Sequence, residues 1–133
     1  MSKVKILVTG GCGYIGSHTI VHLLESGFEV ISIDSLINSN EKCLVGINEI
    51  TGVSIRNIQL DLSLDSSVDF LLEELSSLDG IIHFAALKSV GESLSNALFY
   101  YDNNLKSLLN ILKLADLWKI KSFVFSSSCT VYG

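Results

Sequence analysis

Val8-Thr9-Gly10-Gly11-Cys12-Gly13-Tyr14-Ile15-Gly16-Ser17 is the stretch on which the fold of this 133-residue chain turns. An apolar run over 4–8 leads into it and an amphipathic run over 15–24 leads out, so the glycines join a strand to a helix. Such a turn sets unpaired helix N-terminal N–H groups, and the positive end of the helix dipole, against whatever lies over it. An anionic guest such as a pyrophosphate suits that place. Gly10 permits the tight exit from the strand, Gly13 lets the backbone approach the phosphates, and Gly16 lets the helix pack closely. The same pattern could be an ordinary strand-to-helix turn, and the surrounding chain argues otherwise.

Glu29-Val30-Ile31-Ser32-Ile33-Asp34 reads as the next strand, with an acid at its end. Asp34 lies 18 residues beyond Gly16, near the interval at which a carboxylate meets the adenosine ribose of a dinucleotide. A carboxylate there accepts from the ribose hydroxyls and repels a 2′-phosphate. Arg56 is the only arginine, so no guanidinium follows Asp34 to hold such a phosphate. The pattern reads as NAD rather than NADP.

Composition agrees with one domain. Hydrophobic residues make up 48% and charged residues 17%, which suits a sheet covered by helices on both faces. The formal net charge is −5 and the lysines are scattered, so neither nucleic acid nor an anionic membrane is expected as a partner. No apolar run approaches the roughly 20 residues of a membrane span, and no signal peptide is read before Lys3. Cys12, Cys43 and Cys129 lack metal-ligand spacing; they read as free thiols, small buried hydrophobes in a reducing cytoplasm. No metal site is expected. Proline is absent, which is unusual for a complete chain.

In order, strands are expected over 3–9, 29–34, 54–59, 80–84 and 122–126. Helices are expected over 14–26, 41–50, 66–75, 91–98 and 99–118. Strands alternating with helices imply right-handed crossovers and a parallel sheet. The fold is therefore a doubly wound α/β domain, Rossmann-like, in the order 3-2-1-4-5, with its switch point between strands one and four. Asp34, Asp61, Lys88 and Ser126 all follow strand ends, where ligands of such sheets sit.

His83-Phe84-Ala85-Ala86-Leu87-Lys88-Ser89-Val90-Gly91-Glu92-Ser93, Tyr100-Tyr101-Asp102-Asn103-Asn104 and Phe125-Ser126-Ser127-Ser128-Cys129-Thr130-Val131-Tyr132-Gly133 add more specific blocks. With the glycine turn and Asp34-Ser35-Leu36-Ile37-Asn38-Ser39, they resemble the UDP-glucose 4-epimerase family, within the extended short-chain dehydrogenase/reductases. The resemblance spans the whole chain. It implies that Gly10, Gly13, Tyr14, Ile15 and Gly16 line the pyrophosphate and that Asp34, Asn38 and Ser39 meet the adenosine ribose. Ser35 stands where the family often has Asn, so the resemblance does not carry that contact over. Asp61 and Leu62 would flank the adenine, and Phe84, Ala85, Ala86 and Lys88 the side toward the nicotinamide. Asn103 and Ser126 would also face the cofactor. Ser128 would hydrogen-bond the sugar 4-oxygen, the one catalytic residue within the chain.

Each has a plainer reading. Asp61 could cap a helix, Lys88 could be a solvated loop lysine, Asn103 a polar break in a buried helix, and the serines a polar strand end. His18, His22 and His83 read as structural. The resemblance also implies hydride transfer from the sugar C4 to NAD and its return to the other face of a rotated 4-keto sugar. A tyrosine of a Tyr-x-x-x-Lys motif would be the acid/base, worth roughly 10²- to 10⁴-fold. That motif does not occur in these residues; Tyr132 is not followed by such a lysine and reads as a packing residue. The chain is thus expected to be an incomplete NAD-binding domain over 1–133, ending after the fifth strand, without the substrate-binding part and inactive alone. A UDP-sugar would bind only a full-length form. Another sugar-nucleotide epimerase or dehydratase, or a non-catalytic oligomerising fragment, are the other readings.

The helix over 99–118 carries Leu105, Leu108, Leu109, Leu112 and Ala115 at i, i+3, i+4, i+7 spacing, and Ile111, Leu114, Leu117 and Trp118 widen that stripe. A helix apolar over most of its circumference must be buried on more than one side. A homodimer or larger assembly through this helix is expected.

Overall fold

Leu7 and Val8 are adjacent and both fully buried, which requires apolar cover on both faces of the strand that carries them. The computed structural model, which describes residues 2–128 and Tyr132, supplies it. Strands β1 (Lys5–Thr9), β2 (Glu29–Ile33), β3 (Arg56–Ile58), β4 (Gly80–His83) and β5 (Ser122–Phe125) form one parallel sheet in the order β3-β2-β1-β4-β5. The helices are α1 (Tyr14–Glu25), α2 (Lys42–Thr51), α3 (Ser67–Glu74), α4 (Val90–Ser95) and α5 (Ala97–Leu117). Leu7, Ile33, Ile58 and Ile81 pack with Leu71 of α3 and with Ile111, Leu114 and Ala115 of α5. Val8 and Val30 pack on the other face with Ile20 of α1 and Ile47 of α2. The expected class and strand order are those observed.

Element boundaries differ from expectation where long-range pairing decides them. β3 is confined to Arg56–Ile58 because only Ile31 to Ile33 of β2 pair with it. Asn96, at φ −140° and ψ 52°, leaves the helical region, so α4 stops at Ser95 and α5 begins at Ala97 rather than 99.

α5 buries one side of the widened apolar stripe, with Ile111, Leu114 and Ala115 in the core and Leu108 and Trp118 packed against it, and leaves the other side exposed. Ser107, Asn110, Ile111, Leu114 and Ala115 are buried, whereas Leu105, Leu109 and Leu112 are exposed. The inward face holds the polar Ser107 and Asn110, which the apolar pattern alone does not select. β5 is the sheet edge: Val124, beside Ile82 in register, is 56% exposed. Among the described residues no helix is long and apolar enough to cross a membrane.

Candidate functional site

At the carboxyl ends of β1, β2 and β4 lies a cavity of about 680 Å³. Its wall contains Gly10, Gly13, Tyr14, Ile15, Gly16, Asp34, Asn38, Ser39, Asp61, Leu62, Phe84, Ala85, Ala86, Lys88 and Asn103. Of the residues given cofactor or substrate roles, Ser126 and Ser128 are not in that wall; both are exposed beyond β5, and the Ser126 N–H donates to His83 O at 3.1 Å. Cys129 lies outside the described residues.

The glycine turn is built by close backbone contacts. Gly10 has φ +67°, and its N–H donates to Ile33 O at 2.7 Å, tying the turn to the end of β2. A Cβ on Gly16 would lie 2.1 Å from Gly10 O, so only glycine lets α1 start so near the strand. A Cβ on Gly13 would lie 3.3 Å from Gly10 O, a tight approach to backbone. α1 has no side-chain cap and no acid in its first turn, so its first N–H groups are left for a guest. A pyrophosphate fits that cradle.

Asp34 is 9% exposed. It accepts from Cys12 N–H (3.0 Å), Leu36 N–H (2.9 Å) and Ser39 Oγ (2.7 Å). A carboxylate has about four acceptor positions, so one remains for a ribose hydroxyl. Leu36 sits at φ +62°, an unfavourable conformation for leucine, held where its N–H meets the carboxylate. Cys12 is buried beneath this corner; burial first, then the hydrogen bond with the Cys43 thiol, pushes its pKa up to about 12. It is a packed thiol and no nucleophile, and neither it nor Cys43 forms a disulfide.

Asp61 does not cap α3, whose N-cap is Ser66. Its Oδ1 accepts from the Ser63 N–H and hydroxyl (2.9 and 2.7 Å), turning the chain under the cavity. Asn110 of α5 holds that loop by donating to Leu62 O and Leu64 O.

On the β4 side, Thr9 Oγ1 accepts from the N–H groups of Phe84 and Ala85, both at 3.2 Å, and lies 2.7 Å from His83 Nδ1. With both lone pairs used, the hydroxyl proton points to Nδ1, which assigns His83 as the neutral Nε2–H tautomer. Burial lowers its pKa to about 4. His83 is thus structural, as expected, and knits β1 to β4 at the switch point. Lys88 and Ser89 are exposed on the segment that follows.

The wall also contains Ser35, whose contact the sequence left open, and residues given no role there, among them Leu87, Ser89, Glu92 and Ser107. Ser107 and Asn103 stand four apart on α5 and share its cavity face; that spacing was the available signal. Among the described residues no group of three or more His, Cys, Asp or Glu is placed to hold a metal ion.

This geometry has close counterparts. A UDP-glucose 4-epimerase from Bacillus subtilis is 46% identical over 98% of this chain, which spans 38% of that protein's length. One from Klebsiella pneumoniae is 43% identical, the match covering 98% of this chain and 93% of that sequence. The crystal structure of UDP-glucose 4-epimerase from Bifidobacterium longum in complex with NAD+ and UDP superposes with a TM-score of 0.89 at 42% identity, covering 98% of this chain and 38% of that one. The NAD dependent epimerase/dehydratase family matches residues 6–133, and NAD is the cofactor of that family. The chain belongs to that family, among the UDP-glucose 4-epimerases.

Proposed function

We propose that the chain is the NAD-binding portion of an enzyme that interconverts UDP-glucose and UDP-galactose. The observation that carries this reading is one cavity wall joining the uncapped start of α1 to Asp34, a pyrophosphate cradle beside a ribose acceptor. In this reading Gly10, Gly13, Tyr14, Ile15 and Gly16 hold the pyrophosphate, and Asp34, Asn38 and Ser39 orient the adenosine ribose. Asp61 and Leu62 flank the adenine. Phe84, Ala85, Ala86, Lys88, Asn103 and Ser126 serve the nicotinamide side, and Ser128 hydrogen-bonds the sugar 4-oxygen.

Bound NAD supplies a hydride acceptor. Proton removal from the 4-hydroxyl needs a base, and the serine hydroxyl of Ser128 is too weak an acid to become one unaided. No Tyr-x-x-x-Lys motif occurs in the 133 residues. This polypeptide by itself is therefore expected to bind NAD and to leave a UDP-sugar unchanged; conversion by purified protein that Ser128→Ala abolishes would refute that. Two cysteines, Cys12 and Cys43, free in the fold suit a reducing cytoplasm.

Assembly is part of the proposal. Leu98, Tyr101, Leu105, Leu109 and Leu112 are 86, 69, 53, 55 and 40% exposed, and they recur every three or four residues along α5. Such a seam suits a second copy. Sedimentation should show a dimer or larger species that Leu109→Glu shifts toward monomer; a compact monomer unaffected by the change would exclude it. Calorimetry with NAD and NADP tests the cofactor reading directly. Equal affinity for both would overturn the role given to Asp34.

A further inference from the structure

α4 buries none of its residues; Val90 and Leu94, its large apolar side chains, are 76 and 82% exposed. The segment over 87–95 nevertheless brings Lys88, Ser89 and Glu92 to the cavity wall. With no residue of α4 buried, something other than a core anchor must keep so exposed a segment in place. Two side chains of α5 do. Asn104 closes a two-way clasp on the segment's first residue: the Leu87 N–H donates to Asn104 Oδ1 at 2.8 Å, and Asn104 Nδ2 donates to Leu87 O at 3.1 Å. One turn earlier, Tyr100 donates its hydroxyl to Glu92 Oε2 at 2.8 Å. Tyr100 is 7% exposed, so its ring is fixed before the hydroxyl reaches out. Between the clasps Ser89 caps α4, accepting from the Glu92 N–H.

Tyr100 and Asn104 are four residues apart and so share one face of α5. Asn103 and Ser107, also four apart, line the cavity from the adjoining face. α5 therefore reaches the site twice, once directly and once through the strap. Tyr100, buried and next to a carboxylate, has its pKa raised and stays a donor.

We infer that Tyr100 and Asn104 are positioning residues, which hold the strap so that Lys88 and Ser89 meet the half of the dinucleotide lying on the β4 side. The inference rests on the NAD reading above. Asp34, at the end of β2, takes the adenosine; Lys88 follows β4, on the other side of the glycine turn. A ligand confined to the adenosine half does not reach the strap, whereas the whole dinucleotide does. That separation distinguishes positioning from general support of the fold.

The test titrates NAD and AMP into the chain and its Tyr100→Phe, Asn104→Ala and Asn104→Asp variants, with amide hydrogen exchange recorded alongside. Tyr100→Phe keeps the buried ring and removes the hydroxyl that meets Glu92 and Ser89, so NAD should weaken about 2- to 10-fold. Asn104→Ala should weaken NAD at least as much, and Asn104→Asp, which retains an acceptor for the Leu87 N–H, should recover part of the loss. AMP affinity should stay within about twofold, the spread expected of a distant change. Exchange should quicken over 87–95 and not in β1 or β2. NAD affinity unchanged while exchange quickens would overturn the inference, and so would equal losses for NAD and AMP. Wild-type chain that binds AMP but gains nothing from the rest of NAD would instead overturn the cofactor reading beneath it.

Discussion

Asp34 and Lys88 stand at opposite ends of one cavity and are held in different ways. Asp34 follows a central strand, is 9% exposed, and has three donors fixed on its carboxylate. Even the backbone of Leu36 is drawn to φ +62° to supply one of them. Lys88 rides on a strap with no buried residue in its helix, tied to the body through Tyr100 and Asn104. The first end is set before any ligand arrives, so little ordering is left for binding to bring about; the second can yield locally without disturbing the sheet. On the proposed reading, a dinucleotide would meet a fixed adenosine seat and a hung nicotinamide side.

The severest way to break that contrast is at the turn both ends share. Gly16→Ala would set a Cβ 2.1 Å from Gly10 O. It should destabilise the chain by about 3 kcal/mol or more and abolish NAD binding, read as a shifted denaturant midpoint and a flat titration. An NAD-binding variant of native stability would show that α1 has room to retreat.

Acid acts on the β4 side through His83. His83 has its pKa lowered to about 4 from 6.5. Between those values the unfolded chain binds the extra proton, so stability is full above 6.5 and is lost as pH falls toward 4. The loss through this residue is up to about 3 kcal/mol. His83→Gln should flatten the stability profile across that window by about one proton; an unchanged slope would remove His83 as the cause.

Smaller changes grade the fixed end. Asp34→Ala should weaken NAD by about 1–3 kcal/mol, because several donors lose their acceptor at once. Ser39→Ala removes one donor of three, and should weaken NAD by about 1 kcal/mol while leaving the midpoint almost unmoved. Equal effects from the two variants would mean that Ser39, rather than the carboxylate, carries the ribose contact.

The fixed end was also the part most legible in the sequence. The glycine spacing, the run closing at Asp34 and the alternation of strands with helices are local patterns, and each states a backbone requirement in its own residues. The strap was not legible in that way. Asn104 and Leu87 are 17 residues apart and Asn110 and Leu62 are 48 apart, and no periodicity announces a side chain that clasps a distant carbonyl. Leu36 carries no sign of its positive φ, since leucine is not a residue chosen for that conformation. On α5 the apolar spacing included Ile111, Leu114 and Ala115, which the sheet side buries, but not Ser107 and Asn110, which it buries with them. A polar side chain is read as outward-facing until the partners of its hydrogen bonds are known.

The central position of β1 has a consequence for how the chain is made. Thr9 pairs with Ile33 on one side and with His83 on the other, and the second partner lies 74 residues further along. Ribosomes add about 5–20 residues per second, so those 74 residues take roughly 4–15 s to appear. For that interval the nascent β1 can be paired along one edge only, and its other edge stays open to strands of neighbouring chains. Of the strands that end up paired on both sides, β1 is therefore the one the growing chain leaves half-paired longest.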